Sequence, residues 1–194
     1  MAIVAQTPGF VDRVHDAQHT FRAVLAAMSR PGWVKSIDVN LQPPEGLSAA
    51  TAAMCLTLLD LDVQVWLQPG FPQSSRDWLL FHTGCRLTDN PEWADFAVIW
   101  DGDHAPDLTK FNPGMPEYPE ASTTLFMQVE SLNHGAMVAL QGPGILAEIM
   151  VSPQVSSTFW PQWRDNHRLY PLGVDVLCLS GDQVLGLPRS VRVG

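Results

Sequence analysis

Charge is scarce in this chain of 194 residues, and basic charge is scarcer than acidic charge. Charged residues make up 16% of the sequence, and 20 Asp and Glu against 11 Lys and Arg leave a formal net charge of −9. A nucleic-acid surface needs clustered lysine and arginine to neutralise phosphates, and no basic run exists here. The composition therefore argues against nucleic-acid binding, although one or two arginines still suffice to hold a small anion.

Long apolar runs and paired cysteines are missing as well. No apolar stretch approaches the roughly 20 residues that span a bilayer, and the first eight residues lack the basic start and apolar run of a signal peptide. Cys55, Cys85 and Cys178 are widely separated and form no CxxC pair, so neither a disulfide framework nor a zinc knuckle is indicated. We expect a cytoplasmic protein that makes no contact with a membrane.

Apolar side chains, in contrast, are plentiful. Hydrophobic residues account for 46% of the chain, with seven tryptophans and seven methionines. A large core would explain them, and so would a surface shared with other subunits, because Trp and Met are enriched at interfaces. We expect the isolated chain to self-associate as a homodimer.

Helix and strand patterns alternate along the chain without repeats or a domain boundary. Ser48 is placed to cap an apolar helix that runs to Leu59, and the continuous apolar run 96–100 is typical of a central strand. We therefore predict one α/β domain over residues 1–194, with a mixed sheet flanked by helices. Further predicted elements are a hairpin of 125–129 with 136–140, a helix from Ser152, and a closing hairpin of 176–180 with 184–187.

The segment that ends at Pro31-Gly32 predicts an amphipathic helix with two distinct faces. Asp16, Gln18 and Arg22 lie on its polar side and are candidates for binding or interface contacts. The apolar residues recur at helical spacing and are predicted to face the core: Val14, Ala17, Phe21, Leu25 and Met28.

Two further patterns imitate known sites. His15 and His19 have the spacing of a helical zinc motif, but an aspartate replaces the usual glutamate and no third ligand follows, so we predict no metal site. The turn 142–144, Gly-Pro-Gly, could cradle a phosphate ahead of a helix. Its proline removes one N–H donor, and a plain turn is the favoured alternative.

Three polar residues elsewhere are also candidates for a binding site or an interface. His82 and Arg189 could contact an anion, and Asp175 follows a glycine in a turn that leads into a strand. A structural ion pair, a capping contact or turn chemistry is the alternative for each of them. No residue is predicted to be catalytic.

Seven short segments follow one another in an order and spacing that one bacterial family shares. They are 16–32, 56–60 with 65–67, 81–84, 119–120 with 124–125, 140–145, 170–175 and 187–190. In these segments the chain resembles the H-subunit family (PhnH) of the bacterial carbon–phosphorus lyase complex. Gln64, where proline is expected, and Tyr170, where phenylalanine is usual, are the departures.

The resemblance implies the fold of the large domain of fold-type-I pyridoxal-phosphate transferases. Such enzymes hold their cofactor on a lysine as a Schiff base. The only lysines are Lys35, in an apparent strand after the first helix, and Lys110, in a long proline-rich loop from His104 to Ser122. Neither has a convincing cofactor site around it, so we predict that pyridoxal phosphate is absent.

For function, the resemblance implies a non-catalytic or co-catalytic subunit of a phosphonate-degrading complex. Together with G-, I- and L-type subunits it would couple a phosphonate to the ribose C1 of ATP and release adenine, and a J-type iron–sulfur subunit would later cleave the ribose 1-phosphonate 5-triphosphate. The residues alone also allow a stand-alone enzyme or binding protein for a small anionic metabolite on a degenerate transferase fold.

Overall fold

A computed structural model describes residues 7–194, which fold into four α-helices and ten β-strands. Within that range no helix combines the length and the apolar character that crossing a bilayer requires. The elements are α1 Arg13–Ser29, β1 Lys35–Ser36, α2 Ala49–Leu58, β2 Gln64–Leu67, α3 Gln73–Thr83, β3 Arg86–Leu87, β4 Phe96–Ile99, β5 Thr124–Gln128, β6 Val138–Gln141, β7 Ile149–Val151, α4 Phe159–Arg168, β8 Asp175–Ser180, β9 Gln183–Leu187 and β10 Arg192–Val193.

Seven strands form the main sheet, in the order β1-β9-β8-β5-β4-β2-β3. The five strands from β8 to β3 in this order run parallel, and β9 pairs antiparallel with β8. The predicted closing hairpin supplies that antiparallel pair, with Val176 opposite Leu187 and Ser180 opposite Gln183. The predicted class, an α/β domain with a mixed sheet and flanking helices, is confirmed.

The other predicted hairpin is wrong. β5 pairs in parallel with β4 and β8, whereas β6 lies between β10 and β7 in a separate three-stranded antiparallel sheet. Leu125, Phe126 and Met127 of β5 are fully buried. This is expected of a strand inside a parallel sheet whose two faces are both covered. The intervening segment therefore passes from one sheet to the other instead of closing the hairpin predicted around residues 133–135.

The helix predicted from Ser152 begins only at Phe159. The backbone N–H of Gln154 donates to the Ser131 carbonyl at 2.8 Å, and the Ser152 carbonyl accepts from Gly135 at 2.7 Å. These bonds hold the segment in extended form against the preceding loop, so it cannot form helical bonds. Pro161 then falls in the first turn of α4, where its missing N–H has no intrahelical partner to lose.

α1 packs through a face different from the predicted one. Thr20, Val24 and Ala27 are buried, while Phe21 and Leu25 are 49% and 56% exposed. Val14 is exposed too, and Ala17 and Met28 are half-buried at the boundary. The buried face is displaced from the predicted one by about one residue step, ~100° around the helix.

The reason for this rotation is the close approach of α1 to β9. A Cβ added to Gly186 would lie only 2.6 Å from the Ala27 carbonyl oxygen. At such a distance the helix backbone rests directly on the strand, and only small side chains fit between them. The larger apolar residues of α1 are therefore turned away from the core.

The three cysteine side chains are all buried. Burial raises the pKa of the Cys178 thiol to about 12, and it also raises the pKa of Cys55 and of Cys85 above the ordinary value. Because the thiolate is the reactive form, we expect no alkylation by iodoacetamide at pH 8 in the folded protein and threefold alkylation in denaturant. Mass spectrometry checks this, and native modification at the same pH would contradict it.

Candidate functional site

Two of the six candidate residues are bound to each other. The Arg189 Nη2 lies 2.5 Å from the Asp175 Oδ2, the Nε lies 3.1 Å from the Oδ1, and the Nη1 donates to the Pro119 carbonyl at 2.6 Å. The two side chains are only 13% and 17% exposed. This bidentate pair joins the chain that leaves β9 to the first residue of β8, so the guanidinium is engaged inside the domain.

His82 lies near the end of α3 and holds the N-terminal segment. Its Nε2 is 3.0 Å from the Thr7 carbonyl oxygen, which also accepts from the Trp78 indole N–H at 2.8 Å. A Cβ at Gly9 would lie 3.0 Å from the His82 Nδ1. The ring is therefore half-buried where the segment before α1 crosses α3.

Asp16 takes part in the capping of α1. Its Oδ2 accepts from the Asp12 backbone N–H at 3.0 Å, while the Asp12 Oδ1 accepts from the backbone of Val14 and His15. This reciprocal arrangement satisfies N–H groups that the helix start leaves open. Hydrogen bonds from the His15 backbone and ring hold the pKa of Asp12 below its usual value.

The His15 ring contacts Asp12 at 2.7 Å, which accounts for its place at the helix start. Among residues 7–194 no group of three or more His, Cys, Asp or Glu side chains could hold a metal ion. The turn 142–144 is a plain turn, in which the Ile145 N–H donates to the Gly142 carbonyl at 3.1 Å. The chain continues into β7 and not into a helix, so the dipole that would attract a phosphate is absent from this position.

Gln18 and Arg22 remain on the surface, beside the large apolar residues of α1. Together Val14, Gln18, Phe21, Arg22 and Leu25 form what we call the α1 face, and all five are exposed. None of the ion pairs found within residues 7–194 involves Arg22. An exposed apolar stripe with a cation at its side is typical of a surface that another protein covers.

The carboxyl ends of the parallel strands form a second region, which the sequence patterns did not indicate. Gln68 follows β2 and is 6% exposed; its amide donates to the carbonyls of Asp101 and His104 at 3.0 and 2.9 Å and accepts from the Asp101 N–H at 2.9 Å. These bonds fix the loop after β4 against β2. A lone glutamine after a strand has no motif, and only the strand order shows that it lies where α/β sheets bind ligands.

Gln128, at the end of β5, binds the segment that leads into α2 in a similar way. Its Oε1 accepts from the Ser48 N–H at 2.7 Å and from the Thr51 hydroxyl at 3.1 Å, and its Nε2 donates to the Gly46 carbonyl at 3.0 Å. The amide oxygen therefore occupies the N-terminus of α2, a position that favours anions. No sequence signal marked this residue either.

The fold and its surfaces define a single α/β domain with an open region at the carboxyl ends of its parallel strands and an exposed apolar face on α1. The family described as bacterial phosphonate metabolism protein (PhnH) matches residues 8–194, and the chain belongs to this family. It is 36% identical over 186 residues to the alpha-D-ribose 1-methylphosphonate 5-triphosphate synthase subunit PhnH of Rhizobium meliloti (strain 1021), covering 95% of this chain and 93% of the relative. It is 30% identical over 177 residues to the putative C-P lyase subunit protein HtxG of Stutzerimonas stutzeri, covering 91% and 85%.

These matches confirm the family predicted from the seven segments. In each comparison the aligned region covers at least 85% of this chain and of the relative, so the similarity concerns the whole domain and not an isolated motif.

Proposed function

We propose that this protein is the H-type subunit of a carbon–phosphorus lyase complex in phosphonate metabolism. With G-, I- and L-type subunits it supports the coupling of a phosphonate to the ribose C1 of ATP with release of adenine. The observation that carries the proposal is the 36% identity, along 95% of the chain, to a named subunit of such a synthase. The second relative is also named as a lyase subunit, which favours this reading over a stand-alone enzyme.

The α1 face supports the role of an assembly subunit. Phe21 and Leu25 are large, apolar and about half exposed, and Arg22 lies one helical turn from both Gln18 and Leu25. Burying such side chains against a partner removes apolar area from water, which stabilises the complex by roughly 25 cal/mol per Å² of buried apolar surface. We propose that a partner subunit covers this face in the complex, and that a second copy covers it in the isolated, cytoplasmic chain.

Deletion and co-purification test the proposal. A strain without this gene is expected to grow on phosphate but not on methylphosphonate as sole phosphorus source, and the reintroduced gene restores growth. The tagged chain is expected to co-purify with G-, I-, J- and L-type subunits. Normal growth of the deletion strain on methylphosphonate would contradict the proposal, and turnover by the purified chain alone would favour the stand-alone enzyme.

We propose further that the protein works without pyridoxal phosphate, although the family resemblance implies the fold of enzymes that use it. The Lys35 ammonium lies 5.8 Å from the centre of the Trp33 ring, on the edge strand β1, and Lys110 is exposed on a short 3-10 turn. A Schiff-base lysine is usually desolvated. The amide of Gln128 also fills the N-terminus of α2, a place suited to a cofactor phosphate. The purified protein is expected to lack the visible Schiff-base absorbance, and a band abolished by borohydride would refute this.

A further inference from the structure

The strand order creates a switch point between β2 and β4. From β2 the chain proceeds to β3 on one side, then crosses over to β4 on the other. In open α/β sheets, ligands bind in the crevice outside the carboxyl ends at such a point. A cavity of about 570 Å³ opens here, and an adjoining one of about 230 Å³ shares part of its wall. We call the two together the switch-point crevice; its functional lining is Trp66, Gln68, Arg76, Asp89, His104 and Lys110.

The charge of this crevice is opposite in sign to that of the chain. Arg76 and Lys110 line it against one carboxylate, Asp89, although acidic residues outnumber basic ones 20 to 11 in the whole sequence. No ion pair in the described part of the chain uses either cation. Arg76 lines the smaller cavity and Lys110 the larger one. Because neither cation is paired among the described residues and the site is concave, the local potential favours an anion.

A neighbouring cavity shows the contrast. Between the ends of β4 and β5 lies a space of about 340 Å³ whose charged lining consists of Asp101, Asp103 and Glu130. Asp101 is turned toward His104, whose Nδ1 lies 2.8 Å from its Oδ2, and His104 also lines the switch-point crevice. The region at the carboxyl ends of the strands is thus divided into an acidic part beside β5 and a basic part beside β2.

The floor of the switch-point crevice is rigid. Gln68 is 6% exposed, and the hydrogen bonds of its side-chain amide hold the loop after β4 in place. Trp66 is 8% exposed and contacts Phe111 edge to face, with ring centres 5.5 Å apart. A binding site needs such a fixed support, because the groups that meet the ligand must already be in place.

We propose that the switch-point crevice binds a small tetrahedral phosphorus oxyanion, with Arg76 and Lys110 as its cationic partners. The class of anion rests on the proposed function, in which both a phosphonate and the phosphate groups of ATP are handled. Both sources present the same charged oxygens, which arginine and lysine bind through charge-assisted hydrogen bonds.

Calorimetric titration of the isolated chain tests this, with methylphosphonate, inorganic phosphate and ATP as separate probes. We expect saturable binding of at least one probe that weakens as salt is added. Arg76→Gln combined with Lys110→Gln is expected to weaken it by about tenfold or more. The control combines Lys35→Gln with Arg86→Gln, which removes the same charge on β1 and at the opposite, amino end of β3, and it is expected to bind like the wild type.

Each result is decisive. Absence of saturable binding by all three probes, or equal weakening in the crevice and control variants, overturns the proposal. Tighter binding of ATP than of methylphosphonate identifies a nucleotide phosphate as the source, and the reverse identifies the phosphonate. A chain that co-purifies with the complex but binds no probe retains the proposed function and loses the crevice, whereas binding without co-purification does the opposite.

Discussion

Replacing Phe21 and Leu25 together by aspartate is expected to abolish co-purification with the other subunits and growth on methylphosphonate, while the melting temperature of the isolated chain changes little. The two side chains are 49% and 56% exposed and contribute little to the core. In a covered interface, however, each new carboxylate would lose its water without gaining a partner, which costs several kcal/mol per ion. Light scattering of the same variant should report a monomer.

A matched control separates this effect from a general loss of apolar surface. Leu61 and Phe81 are 62% and 68% exposed beside the end of α3, and their joint replacement by aspartate introduces the same chemistry outside the α1 face. We expect this control to assemble and to support growth. If the α1 variant assembles normally, the α1 face is not a partner surface; if it melts much earlier than the control, its residues act through folding.

Asp175→Ala is expected to lower the free energy of unfolding by about 2–3 kcal/mol, somewhat less than the loss of a fully buried pair. The substitution leaves the Arg189 guanidinium, 13% exposed, without its counter-ion and removes the acceptor of the Arg189 backbone N–H. Urea unfolding monitored by circular dichroism measures the change. Assembly and growth at moderate temperature should persist, because the pair is engaged within the domain.

A double-mutant cycle checks the interpretation. Arg189→Met removes the charge that Asp175 compensates, so the double variant is expected to lose less stability than the two single variants added together. A stable Asp175→Ala protein that no longer assembles would instead place this pair in a binding or interface site, as the sequence pattern alone allowed.

Local signals in the sequence were sufficient for several elements. Ser48 accepts from the Thr51 N–H at the start of α2, and Gly84 ends α3 with a φ of 69°, a left-handed conformation that favours glycine. The turn at Gly181, with a φ of 58°, closes the predicted hairpin of β8 and β9. In each case the residues that determine the structure are close together in the chain.

The candidate site was predicted less completely. The chain's patterns identified Gln18 and Arg22 as surface residues of α1, yet they also placed Phe21 and Leu25 in the core, because periodicity shows that a helix is amphipathic but not how close its neighbour lies. Gln68 and Gln128 carry no motif at all. Their roles depend on partners at Asp101 and Ser48, which lie 33 and 80 residues away.

By itself the sequence determined the α/β class, the cap of α2 at Ser48, the closing hairpin of β8 and β9, and, through seven ordered segments, the family. Each of these depends on residue types at short separations, where backbone preference and side-chain bonding act directly. Only the tertiary structure decided which face of α1 is buried, which strands neighbour β5, and that Arg76 and Lys110 both line the switch-point crevice. Those outcomes depend on the close contact at Gly186 and on strand order, and both arise from packing between segments far apart in the chain.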